Sequence, residues 1–284
     1  MIAALTAALT LAAVQTPPAL EAPAVQPIRA SKIILVGDST TAVIGGWGPS
    51  FCAYHVTSFA ACVNLARGGR SSGSYVAEGS WDLALSEMAT PGYAATYVLI
   101  QFGHNDQPGK PGRSTDLATE FPANLKRYVA EARARGATPI LLTPLVRRQF
   151  VEGRLQNDLE PWAEAVRAMA RETNTPLVDL NHARAETVQA LGPVLSARFA
   201  QAAPSPEVAA ALLTGTTIAS NTGVSPAPGA PAVAQNNAAV EPLGQARVSF
   251  DYTHLGRDGA DFFSAMVTRD LIEAAPAMRR LLIP

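Results

Sequence analysis

The chain has 284 residues, 48% hydrophobic and 16% charged, a balance that excludes a disordered polymer and suits one large α/β domain with a substantial core. Its formal net charge is −1, and it has no basic run or aromatic-interleaved patch, so no nucleic-acid partner is expected.

Met1 to Val14 is almost wholly Ala, Leu, Ile, Val and Thr. That run is too short to cross a bilayer as a helix. A Pro-Ala-rich stretch from Thr16 to Pro27 follows, in the manner of a post-cleavage linker, although the n-region carries no Lys or Arg and Ala22-Pro23-Ala24 has a proline at the cleavage position. Residues 1–24 are therefore read as a signal peptide and linker, and 25–284 as the domain. The mature protein is then secreted or periplasmic, with no stable membrane insertion.

Short apolar runs alternate with helical stretches along the domain, the pattern of βαβ units around a parallel sheet. Strands are expected at Lys32 to Val36, Val63 to Leu65, Tyr97 to Phe102, Thr138 to Thr143 and Leu177 to Leu180. After the first strand come Cys52 and Cys62, which either close a small disulfide loop in an oxidising compartment or stay as buried thiols. Helical spacing of Leu117, Phe121, Leu125, Tyr128, Val129 and Ala132 predicts a helix over Asp116 to Arg135. A second helix is expected over Glu160 to Thr173, and a last one over Gly256 to Ala274 with Phe262, Phe263, Met266 and Leu271 inward. Between them, about 201–247 turns rich in Ala, Pro, Gly, Ser, Thr and Asn and reads as a low-complexity insertion, a mobile loop or a lid. Glu207 to Leu213 could form a helical turn or two within it.

Four short motifs carry the chemistry: Gly37-Asp38-Ser39-Thr40, Arg67-Gly68-Gly69-Arg70-Ser71, Gly103-His104-Asn105-Asp106 and Asp251-Tyr252-Thr253-His254. The first three follow expected strands, and open α/β sheets bind ligands at the carboxyl ends of their strands. A serine hydroxyl becomes a good nucleophile when an imidazole takes its proton, and the imidazole needs a carboxylate to fix its tautomer. Ser39, His254 and Asp251 supply those three groups. One helical turn would put Asp251 and His254 on the same face. The backbone amides of Ser39 and Gly69 and the side-chain amide of Asn105 would form an oxyanion hole. Singly, these motifs are ordinary: a Gly-Asp-Ser turn, a Gly-Gly turn, an Asn or Asp helix cap, a surface ion pair. Four in this order point to a serine esterase. No metal or other cofactor is expected.

Trp47, in the loop after Ser39, is read either as a stacking surface for a sugar ring or as a core anchor. Arg147 and Arg148, directly after the fourth expected strand, are read as substrate-binding cations for a carboxylate or as a solvated pair.

The order Gly-Asp-Ser, Gly, Gly-x-Asn-Asp, Asp-x-x-His resembles the SGNH (GDSL-like) hydrolases. More narrowly, Trp47-Gly48, Asn64 to Ser72, Gln101 to Gln107 and Thr143 to Phe150 resemble the rhamnogalacturonan acetylesterases, over roughly residues 32–200 and 247–272. The resemblance implies a flavodoxin-like three-layer α/β/α sandwich with a central parallel sheet of about five strands. It implies a secreted serine carbohydrate esterase removing O-acetyl groups from an acetylated polysaccharide of pectin through an acyl-enzyme. Ser39 would be the nucleophile, Gly69 and Asn105 would complete the oxyanion hole, and Asp251 and His254 the triad. Gly73 departs from the family's Ser-x-Arg-Ser pattern, and residues 201–247 are longer than the family leads one to expect. A xylan acetylesterase or short-chain lipid esterase is the alternative. For a metallophosphoesterase the sequence lacks an Asp-x-His on the first strand and a later His pair, leaving too few ligands for two metals, and a non-catalytic sugar-binding module would not need Ser39, Asn105 and His254 together.

Overall fold

Alternation along buried strands is what divides this protein into layers. Side chains one residue apart on a strand point to opposite faces, and here both faces are apolar. The computed structural model describes residues 27–222 and 248–284. In it the main strands are β1 (Ser31–Gly37), β2 (Ala60–Asn64), β3 (Thr96–Gln101), β4 (Thr138–Leu142) and β7 (Leu177–Val178). All pair in parallel in the order β2-β1-β3-β4-β7. Ile33, Leu35, Leu99, Ile140 and Leu142 face one core; Ile34, Val36, Val98, Ile100 and Leu141 face the other.

Helices α1 (Gly48–Tyr54) and α6 (Leu180–Ala197) and the C-terminal helix (Arg257–Ala274) cover the first face through Phe51, Val188, Phe263, Val267 and Leu271. Helices α3 (Ser80–Met88), α4 (Glu120–Ala134) and α5 (Glu160–Glu172) cover the second through Trp81, Leu85, Phe121, Leu125, Tyr128 and Val166. The result is the expected three-layer α/β/α sandwich around five parallel strands. Strand order reverses between β1 and β3, which leaves a crevice at their carboxyl ends.

Several boundaries differ from the sequence reading. The expected helix at Asp116 begins at Glu120, because Asp116 Oδ1 accepts bonds from Ala118 N, Thr119 N and Thr119 Oγ1 and turns the chain first. Leu180 belongs to a helix rather than a strand, since the Asp179 side chain caps α6 at His182 N. Phe262 is 37% exposed and stacks on Phe199 at 4.9 Å instead of entering the core. A hairpin of β5 (Phe150–Val151) and β6 (Arg154–Leu155), unmarked by any alternating run, turns on Glu152 and Gly153, both at positive φ.

Cys52 and Cys62 form a disulfide between α1 and β2, with their Cα atoms 5.5 Å apart. The first part of the expected insertion is structured: α7 (Pro206–Leu213) is capped by Ser205, and Thr217 N donates to Phe150 O. Residues 223–247 and the expected signal peptide and linker at 1–24 lie outside the described residues. Among the described residues no helix is long and apolar enough to cross a membrane.

Candidate active site

The turn after β1 is fixed by Asp38, whose buried carboxylate accepts from Thr40 N at 2.8 Å and Thr40 Oγ1 at 2.7 Å. Burial alone would raise this carboxyl, but His104 and the Thr40 bonds outweigh it and hold it below its ordinary value. His104 Nδ1 lies 3.4 Å from Asp38 Oδ2, and burial pushes that imidazole down, towards the neutral form. A β-carbon on Gly37 would stand 2.6 Å from the carbonyl of Gln101, so only glycine lets the turn lie against β3. Ser39 sits in this turn with 8% of its surface exposed. No hydrogen bond of its hydroxyl is present among the described residues.

Two neighbouring loops meet that turn. Asn64, at the end of β2, donates to Thr41 O at 2.9 Å and accepts from Ala66 N at 3.0 Å, tying the Gly69 loop to the Ser39 turn. Gly69 has φ +76°, a left-handed conformation that favours glycine. Asn105 follows β3 and is 7% exposed. One hydrogen of its amide is used on Arg70 O at 3.0 Å, and Arg113 Nη1 lies 3.4 Å from both Asn105 Oδ1 and Gly69 O. No second hydrogen bond of that amide nitrogen is present among the described residues. Asp106 next to it is buried and accepts from Ser72 N, Ser72 Oγ and Thr115 Oγ1. Desolvation still raises its carboxyl to about 6.

The fourth motif arrives from the C-terminal side. His254 Nδ1 and Asp251 Oδ2 are 2.7 Å apart, while Asp251 Oδ1 accepts from Thr253 N and His254 N at 2.7 and 2.6 Å. The pair therefore meets through a side-chain-closed turn rather than the expected helical one; the helix starts only at Arg257. Burial would raise the Asp251 carboxyl, but the His254 contacts and the two amides hold it down to about 2. A carboxylate at this distance favours the His254 tautomer with its proton on Nδ1. Leu255 N donates to Gly45 O at 2.8 Å, which docks this segment on the loop after Ser39.

The residues read as substrate-binding stand elsewhere. Trp47 is fully buried, packs edge-on to Phe51 and donates Nε1 to Gln101 Oε1 at 2.8 Å. A tryptophan committed to the core cannot stack on a sugar. Arg148 is 1% exposed and donates into the backbone of the Asp251 to His254 segment, so it cannot pair with a polymer. Arg147 donates to Asp158 and, at 2.8 Å, to Gln107 Oε1, and its side chain is only 12% exposed. Sequence reasoning singled out neither Gln101 nor Arg113. A polar residue ending an apolar strand was a signal for the first; local pattern gave none for the second.

What these loops can do together is bring a hydroxyl, an imidazole–carboxylate pair and amide donors to one sheet edge, the parts of an acyl-transfer site. Residues 35–195 match the GDSL-like Lipase/Acylhydrolase family. The chain belongs to that family. It is a carboxylic ester hydrolase, and its narrower relatives are named for acetyl esters. Rhamnogalacturonan acetylesterase RhgT of Bacillus subtilis (strain 168) is 37% identical over 176 residues, 59% of this chain and 72% of the relative. The same organism's YesY, named "Probable rhamnogalacturonan acetylesterase", is 37% identical over 158 residues, 53% of this chain and 70% of its own. In fold, the hydrolase is similar to the solved YxiM protein of Bacillus subtilis, with a TM-score of 0.58 at 22% identity, covering 87% of this chain and 58% of that one.

Proposed function

We propose that this hydrolase is a serine carbohydrate esterase that removes O-acetyl groups from pectic polysaccharide, rhamnogalacturonan foremost. The observation that carries the reaction type is the Asp251–His254 contact at 2.7 Å, docked through Gly45 against the turn that presents Ser39. Similarity to RhgT supports the substrate class.

In this reading Ser39 Oγ attacks the acetyl carbonyl carbon while His254 Nε2 takes the hydroxyl proton. The oxyanion is met by the amides of Ser39 and Gly69 and by the second amide hydrogen of Asn105. The ester bond to the sugar then breaks, and His254 returns the proton to the departing sugar hydroxyl. Water, deprotonated by the same imidazole, attacks the acetyl-enzyme; the bond to Ser39 Oγ breaks, His254 returns the proton to that oxygen, and acetate is released. Asp251, held as a carboxylate, stabilises the imidazolium in both halves. The chain would act outside the cytoplasm; the Cys52–Cys62 bridge supports an oxidising compartment, and the apolar Met1 to Val14 supports export.

Acetate release from acetylated rhamnogalacturonan, homogalacturonan and xylan, measured beside a 4-nitrophenyl ester chain-length series, tests the substrate. A preference for xylan, or for chains longer than acetyl, would overturn the pectic assignment.

A further inference from the structure

Three cationic side chains in the described residues are at most 1% exposed, and one of them has partners unlike the others. Lys32 bonds Glu87 and Arg184 bonds Asp270, carboxylate partners that offset the cost of burying a charge. The Arg148 hydrogen bonds instead go to backbone carbonyls. Its Nη2 donates to Asp251 O at 3.0 Å and His254 O at 2.8 Å, its Nη1 to Thr253 O at 3.2 Å, and its backbone N–H to Tyr252 O at 2.9 Å. Every carbonyl of the four-residue segment between the two acid–base residues is thus held by this one residue.

Three of these carbonyls, those of Asp251, Thr253 and His254, converge on the guanidinium and bring partial negative charge together there, while the Asp251 carboxylate closes the same segment on two amides. The guanidinium answers that charge with a planar fork whose donors point in fixed directions. Arg148 reaches the segment from the loop after β4, which ties the C-terminal half of the site to the central sheet.

We propose that Arg148 is a positioning residue of the reaction, setting the backbone of Asp251 to His254 and, through it, the bond between the two side chains. The inference rests on assigning the proton relay to that pair. A displacement near 1 Å in such a relay costs about 100-fold, whereas a residue important only for stability would lower the melting temperature and leave the folded enzyme's rate alone.

The test compares Arg148→Met and Arg148→Lys in the full chain with Val267→Ala, a core truncation in the C-terminal helix away from the segment. Two readouts are taken where each variant is folded by circular dichroism: kcat and KM on 4-nitrophenyl acetate, and the low-field proton resonance of His254 Nδ1–H, assigned by its loss in His254→Gln. In Arg148→Met the resonance should vanish or broaden and kcat fall about 10- to 100-fold with KM within about twofold. Arg148→Lys should fall between Met and the parent, and Val267→Ala should lose melting temperature but keep both readouts. A parental resonance and kcat in Arg148→Met would overturn the proposal; so would equal losses in Val267→Ala. If Arg148→Met does not fold, parental behaviour of Arg148→Lys overturns it. Activity surviving in Ser39→Ala would instead defeat the serine-esterase reading, and the resonance would still decide the role of Arg148.

Discussion

A methyl group placed on Gly45 would stand 3.1 Å from Cδ2 of His254, in a loop where Gly45 already has φ +91°. The glycine lets the loop after the nucleophile turn lie directly against the imidazole, while its carbonyl accepts from Leu255 N just beyond it. Backbone conformation and close approach both require glycine here. Gly45→Ala should therefore lower kcat at least about 10-fold by shifting the imidazole, with a stability loss of about 1–3 kcal/mol. Stopped-flow or steady-state aryl acetate kinetics beside a urea melt checks it; a parental kcat would show that the loop yields without moving His254.

Ser39→Ala should abolish nearly all esterase turnover while stability changes by no more than about 1 kcal/mol. The turn is built by Asp38 and Thr40, not by the Ser39 hydroxyl, so removing that oxygen breaks no bond of the fold. Retention of most of the rate would remove Ser39 from the mechanism.

Asn105→Ala should lower kcat about 100-fold or more with KM nearly unchanged, the pattern of a donor used in the transition state. The bond from Asn105 to Arg70 O orients the amide, so part of the loss should be shared by a loosened Gly69 loop. A raised KM at constant kcat would make Asn105 a substrate-positioning group.

The Asp106 carboxyl is raised from its ordinary value to about 6 by desolvation, so the native state binds the proton more tightly than the unfolded chain does. Its contribution is therefore most favourable below about pH 4 and is lost as pH rises through 6, on the order of 3 kcal/mol. Asp106→Asn keeps an oxygen for the bonds from Ser72 and Thr115 and lacks this titration. The stability of the parent relative to Asp106→Asn should fall between pH 4 and 7 in paired urea melts. A difference that stays flat, or grows in the parent's favour, would contradict the raised value.

The sequence by itself determined the layered fold and the four motif positions. Buried strands such as Ile33 to Val36 read as continuous apolar runs because both faces are covered, and strand-end glycines mark where backbone must approach backbone. It could not distinguish a cation paired with a carboxylate from one buried on backbone carbonyls. Arg147 and Arg148 are adjacent and chemically alike, yet one pairs with Asp158 and the other is sealed under the Asp251 to His254 segment more than a hundred residues away. Trp47 is equally ambiguous in the sequence, and its place in the core is decided by packing on Phe51 and by the indole N–H bond to Gln101. Short-range patterns encode hydrophobic burial and turn chemistry, which act between neighbours in the chain. The partners of a polar side chain are fixed only when distant loops meet, and there the cost of leaving a carbonyl or a charge unpaired selects them.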